Sequence, residues 1–98
     1  MKKVYSLNLQ DFYADDVLSG HKPFDIRSAS VGFQAGDYIE YRTVDKCGVH
    51  VPHDVEGKRF KITYVMSGDG IREGYVVLGL KHSGSTERKK AKKINLCA

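Results

Sequence analysis

Period-two alternation dominates this chain and sets what it can fold into. Residues 3–9 (KVYSLNL) place Tyr5, Leu7 and Leu9 on one side. Residues 22–28 (KPFDIRS) set Phe24 and Ile26 against Asp25 and Arg27, with Pro23 marking an edge or a strand start. Residues 58–66 (KRFKITYVM) set Phe60, Ile62, Tyr64 and Met66 against Arg59, Lys61 and Thr63. Such alternation is the signature of half-buried strands. Residues 37–44 (DYIEYRTV) are rich in aromatic and β-branched residues and read as a further strand. Residues 74–81 (GYVVLGLK) form a continuous apolar run, which predicts a strand covered on both faces. Residues 11–20 read as a helix instead. Phe12, Tyr13, Ala14, Val17 and Leu18 recur at helical spacing, Asp11 is placed to cap the start, and Gly20 to end it. Five strands and one short helix predict a mixed sheet curled into a small barrel.

With 98 residues the chain is limited to one domain and one modest core. Large barrel enzymes, doubly wound nucleotide folds and kinases do not fit. The N-terminal MKK is followed at once by Asn8, Gln10 and Asp11, so no secretory apolar run is expected. Two cysteines, Cys47 and Cys97, make no disulfide framework. The expected setting is a reduced cytoplasm, with no membrane partner and a monomeric state.

The formal charge of +4 comes from 16 Lys and Arg against 12 Asp and Glu. It is unevenly distributed. Residues 81–98 hold Lys81, Arg88, Lys89, Lys90, Lys92 and Lys93 against Glu87, whereas residues 1–80 hold ten cations against eleven carboxylates. The division expected is a folded domain over 1–82 and a basic, flexible C-terminal tail over 83–98. That tail reads either as a solvated terminus or as an arm that adds contacts to a nucleic-acid backbone through Arg88, Lys89 and Lys90.

One constellation carries chemistry. In Gly20-His21-Lys22-Pro23-Phe24-Asp25-Ile26-Arg27, two cations and a carboxylate cluster where the helix ends and a strand begins. Arg27 offers a planar fork and Lys22 a point charge, which suits a phosphate or a nucleobase. Asp25 can orient the cations or accept from a base amino group. The competing reading is a surface ion-pair cluster of little consequence.

This pattern resembles the ASCH domain family of the PUA-like superfamily. The likeness spans about residues 4–81, through FYADDVLSGHKPFDIR, FQAGDYIEYR, GKRFKITYV and IREGYVVLGLK. It looks closest to a small, uncharacterised subfamily of bacteria and phages. The resemblance implies an α+β, mainly β fold: a small PUA-like pseudo-barrel of five to six strands with one or two short helices. It also implies a cleft beside the first helix. Gly20, Lys22, Asp25 and Arg27 match the family signature. By kinship with PUA-like RNA binders, the implied partner is RNA or a modified nucleotide, with DNA as an alternative.

Some ASCH members are hydrolases, including amidohydrolases of acetylated cytidine, and nuclease activity is also reported. The enzymatic alternative here is therefore a small hydrolase of a modified nucleoside, or a ribonuclease. In the amidohydrolase-type members a Thr stands where this chain has Asp25, and it works with the Lys and a separate Glu. The corresponding candidates are Lys22, Asp25 and, just before the last strand, Glu73. The nearest subfamily has Glu at the Asp25 position. It also has a His-x-Leu-Lys-like start and an Asn-Asp-Arg run where this chain reads Ser6-Leu7-Asn8 and Ser28-Ala29-Ser30.

Two further sets complete the candidates. Cys47, His50, His53 and Asp54 share one loop, but their spacing fits no standard zinc module, and no metal or cofactor is expected. Among the aromatic residues, Phe60 and Tyr64 fall at core-facing periodicity. Tyr41 and Tyr75 are the candidates for stacking on unpaired bases.

Overall fold

A computed structural model describes residues 2–85 and 92–96. Six strands form one sheet: β1 (Lys3–Gln10), β2 (Phe24–Ser28), β3 (Tyr38–Val44), β4 (Lys58–Met66), β5 (Tyr75–Ser85) and β6 (Lys92–Leu96). Their spatial order is β2-β5-β4-β3-β1-β6. β1 runs parallel to β3 and to β6, and every other pairing is antiparallel. Helix α1 (Asp11–Ser19) follows β1 directly and packs on β1 and β3. A short 3-10 turn (Ala29–Val31) follows β2. The mainly-β pseudo-barrel anticipated from the sequence is therefore present, as an open, curled sheet.

The concave side of the sheet carries the core. Tyr5, Leu7 and Leu9 of β1 meet Ile39 and Tyr41 of β3, Phe60 and Ile62 of β4, and Val76, Leu78 and Leu80 of β5. Phe33 seals one end, edge-on to Tyr5 at 4.7 Å between ring centres. An ion pair lies outside this apolar cluster: Arg59 donates from Nε at 3.0 Å and from Nη2 at 2.6 Å to Glu40 Oε2. Both residues are buried, which nothing in their polar alternation announces.

Four expectations are corrected. The helix starts at Asp11 itself, with Gln10 as its cap and no side-chain cap bond, because β1 runs into the helix without an intervening residue. Phe12 and Tyr13 stay exposed, because α1 buries only Ala14 and Val17 against the sheet. The core-facing assignment of Tyr64 and Met66 also fails. The β4–β5 register shifts between Ile62 and Tyr64, and such a bulge reverses the parity of every later side chain. Ile62 is fully buried, Val65 turns partly inward, and Tyr64 is 65% exposed. A Cβ at residue 79 would lie 3.0 Å from Thr63 Oγ1 and 3.4 Å from Tyr64 Cβ, so glycine there makes room for the bulge.

The fourth correction concerns the expected flexible tail. β5 continues through Ser85, and Lys92–Leu96 form β6 along one edge of β1. Charge density hid that strand in the sequence, although KKINL sets Ile94 and Leu96 against Asn95. Pairing also gives β1 a partner where it would otherwise present an open edge. Arg88, Lys89 and Lys90 lie outside the described residues. Among the described residues no helix is long and apolar enough to cross a membrane.

The bulge makes a direct prediction. Tyr64→Ser is expected to change stability by less than about 0.5 kcal/mol, while Ile62→Ala two positions earlier costs about 2–5 kcal/mol. Urea unfolding of the two variants checks the reversal of parity.

Candidate functional site

The turn from α1 into β2 places Lys22. Gly20 adopts φ 88°, a left-handed conformation that costs glycine little, and ends the helix. The Lys22 amide then donates to the Asp16 carbonyl at 3.0 Å. The Lys22 ammonium donates to the Phe24 carbonyl at 3.0 Å and lies 4.8 Å from the ring centres of both Tyr13 and Phe24. It is thus held between two aromatic faces.

β2 is inverted relative to the usual logic of an amphipathic strand. Its apolar residues Phe24 and Ile26 are 41% and 54% exposed, while Asp25 is only 6% exposed. Asp25 Oδ2 accepts three hydrogen bonds: from Tyr41 Oη at 2.7 Å, from Arg27 Nε at 3.1 Å and from Arg27 Nη2 at 3.0 Å. Arg27 Nη2 also donates to the Asn8 carbonyl on β1 at 2.7 Å. Arg27 therefore spans the seam between the two ends of the curled sheet. Among the described residues, β6 pairs with Lys3–Leu7 of β1.

The seam opens into a cleft of about 550 Å³, bounded by Asn8, Leu9 and Gln10 of β1, Tyr13 of α1, Lys22, and Phe24–Arg27 of β2. Lys22, Asp25 and Arg27, singled out from the sequence, do converge on it. Asn8, Gln10 and Tyr13 were missed. Tyr13 sits in the helical apolar stripe and reads as core, while Asn8 is an ordinary polar position of an alternating strand. Among the described residues, Asn8 Oδ1 is buried and has no hydrogen-bond partner, a rare condition for a buried acceptor.

Tyr41 is not available for stacking, which corrects its assignment. It is 4% exposed, and its hydroxyl anchors Asp25. Burial, followed by the charge of the adjacent Asp25 carboxylate, raises its phenol well above the ordinary value. Tyr75 is 42% exposed, with the Arg72 guanidinium 5.9 Å from its ring centre. Glu73 is not brought to Lys22. Leu80 N–H donates to the Pro23 carbonyl at one end of β2, and Ala29 N–H donates to the Gly74 carbonyl at the other. Glu73 therefore sits roughly 20 Å along the strand from Lys22.

The Cys47/His50/His53 loop resolves into separate carboxylate pairs. His50 Nε2 meets Glu56 Oε2 at 2.7 Å, and His53 Nε2 meets Asp15 Oδ1 at 2.7 Å. Among the described residues no three metal-ligating side chains come together. Burial works against the Glu56 carboxylate, but the Thr43 N–H and His50 together hold it below its ordinary value.

Two predictions follow from these groups. Tyr41→Phe is expected to cost about 1–3 kcal/mol by removing a bond to a buried charge. In the wild type the unfolded chain ionises this phenol near pH 10 while the native chain keeps it neutral. The Tyr41 contribution is therefore complete below that pH and is lost as pH rises further. Alkaline unfolding followed at the tyrosinate absorbance checks the sign: the Phe variant should lose less stability between neutral and alkaline pH. The Glu56 contribution runs the other way. It is present above the ordinary carboxyl value of 4.5 and is lost as pH falls through the lower native value. Glu56→Gln should flatten that part of the acid limb in thermal unfolding.

Residues 4–80 match the family model described as "Domain of unknown function (DUF3850)". No curated protein matches the chain.

Proposed function

We propose that this chain, which belongs to the DUF3850 family, is an ASCH-like, PUA-like module that holds RNA or a modified nucleotide in its seam cleft. The observation that carries this reading is the Lys22 ammonium held between the Tyr13 and Phe24 rings on a cleft that the Arg27 guanidinium also lines. A nucleobase offers a flat face to Tyr13 or Phe24, and the phosphate of its nucleotide suits Lys22 and Arg27. Asp25 acts here as an anchor. Its Oδ2 already accepts three hydrogen bonds and fixes the Arg27 fork.

The same engagement weighs against hydrolysis. A Lys-based mechanism needs a carboxylate beside Lys22 to take a proton. Asp25 is occupied, and Glu73 lies at the opposite end of β2. Binding is therefore the preferred reading, and turnover of an acylated nucleoside that Lys22→Ala abolishes would replace it.

The test is equilibrium binding of short single-stranded RNA at rising salt. Affinity is expected to fall as salt rises, with a log–log slope of about −0.7 for each phosphate contacted. Lys22→Ala should weaken binding about fivefold to tenfold and leave the unfolding midpoint nearly unchanged. Absence of binding to any RNA, DNA or nucleotide at low salt refutes the proposal.

A further inference from the structure

The convex face of β2, β5 and β4 carries a second set of features, separate from the Asp25–Tyr41 anchor. Val76, Leu78 and Leu80 of β5 point into the core, so Tyr75, Val77, Gly79 and Lys81 point outward. Residues paired across neighbouring strands share a face. Phe24 and Tyr64 both pair with Gly79, Ile26 and Met66 both pair with Val77, and Lys61 pairs with Lys81. Three rows therefore stack across the sheet. Lys61 and Lys81 form one end, Phe24 and Tyr64 flank a glycine next, and Ile26 and Met66 follow.

Tyr75 begins the far end, beside Arg72. Tyr75 and Ile26 line a shallow groove of about 300 Å³ with Ile71 and Arg72, and Ile26 also borders the seam cleft, so the two depressions adjoin at that side chain. The large side chains on this face are exposed: Tyr64 by 65%, Ile26 by 54%, Tyr75 by 42% and Phe24 by 41%.

The charges on this face favour one occupant. Each terminal ring has a cation against it: Lys22 lies 4.8 Å from the centre of Phe24, and Arg72 lies 5.9 Å from that of Tyr75. Register separates these rings by four residues, or about 13 Å. Lys61 and Lys81 add two exposed cations beyond Phe24. The nearby carboxylates, Asp69 and Glu73, belong to the turns at the Arg72 end, and none of the paired strand residues named on this face is acidic. Exposed rings at sheet spacing with interleaved cations suit unstacked bases and their phosphates.

We infer that the convex face of β2, β5 and β4 is a stacking platform for an extended single-stranded nucleic acid, with bases on Phe24, Tyr64 and Tyr75 and phosphates on Lys61, Lys81 and Arg72. The inference rests on the nucleotide-binding reading of the seam cleft. It deepens that reading by making the ligand a strand of several nucleotides that continues out of the cleft.

Two probes separate the two readings: an 8-nucleotide single-stranded RNA and a nucleoside monophosphate, each titrated against wild type, Tyr64→Ala, Tyr75→Ala and Lys61→Ala/Lys81→Ala. Wild type is expected to bind the octamer at least tenfold more tightly than the monophosphate. Tyr64→Ala and Tyr75→Ala should each weaken the octamer about tenfold and leave the monophosphate unchanged. The double lysine variant should reduce the salt slope for the octamer by about 1.4. Both tyrosines are exposed, and an unchanged urea midpoint verifies that the variants fold. Equal affinity for the two probes, with no effect of either tyrosine, overturns the platform while the cleft reading stands. Failure to bind either probe overturns both. A wild-type mass in sedimentation above that of one chain, lowered by Tyr64→Ala, would assign the face to a second copy and also overturn the platform.

Discussion

The Asp25 carboxylate holds the curled sheet in shape. Its Oδ2 receives the Tyr41 hydroxyl from β3 across the interior, although β5 and β4 lie between β2 and β3 in the sheet. The same oxygen receives Arg27, and Arg27 reaches the β1 backbone at Asn8. One buried anion thereby connects β2, β3 and β1 and draws the two ends of the sheet toward one another. A buried carboxylate without those donors would cost several kcal/mol. The charge is tolerable only in the closed arrangement, so it opposes a flatter sheet. The cleft is the space that this incomplete closure leaves.

Burying the polar residues of β2 has a second consequence. A strand with Asp25 inward must turn Phe24 and Ile26 outward. The bulge in β4 does the same to Tyr64 and Met66. Two unrelated devices, an inward ion pair and a register shift, thus expose aromatic and aliphatic side chains on one convex surface. Lys22 and Arg72 each lie against a ring at its two ends. The cleft and this surface meet at Ile26.

Much of the framework was legible because it rests on local rules. Glycine at 20 ends the helix for want of a Cβ, and the alternation of KVYSLNL needs no partner to be read. The Lys22–Asp25–Arg27 cluster was legible because three polar types at close spacing announce themselves. The inward turn of Asp25 was not. Alternation shows that two faces differ, and apolar residues normally claim the buried one. The exception depends on Tyr41, sixteen residues away in sequence. Tyr41 was likewise read as a free ring because its partner lies on another strand. Tyr64 was misread because a bulge depends on pairing between strands, and Lys92–Leu96 because positive charge obscured a short alternation that β1 completes.

The sequence by itself determined the helix and the first five strands, the turn that presents Lys22 and the chemical character of the cluster. These follow from backbone conformation and side-chain period within a few residues. Tertiary structure alone decided which face of β2 is inside, which tyrosine anchors and which is exposed, and that Glu73 stands apart from Lys22. Each depends on pairing between distant strands, where the need to satisfy a buried charge outweighs the local preference for burying Phe24 and Ile26.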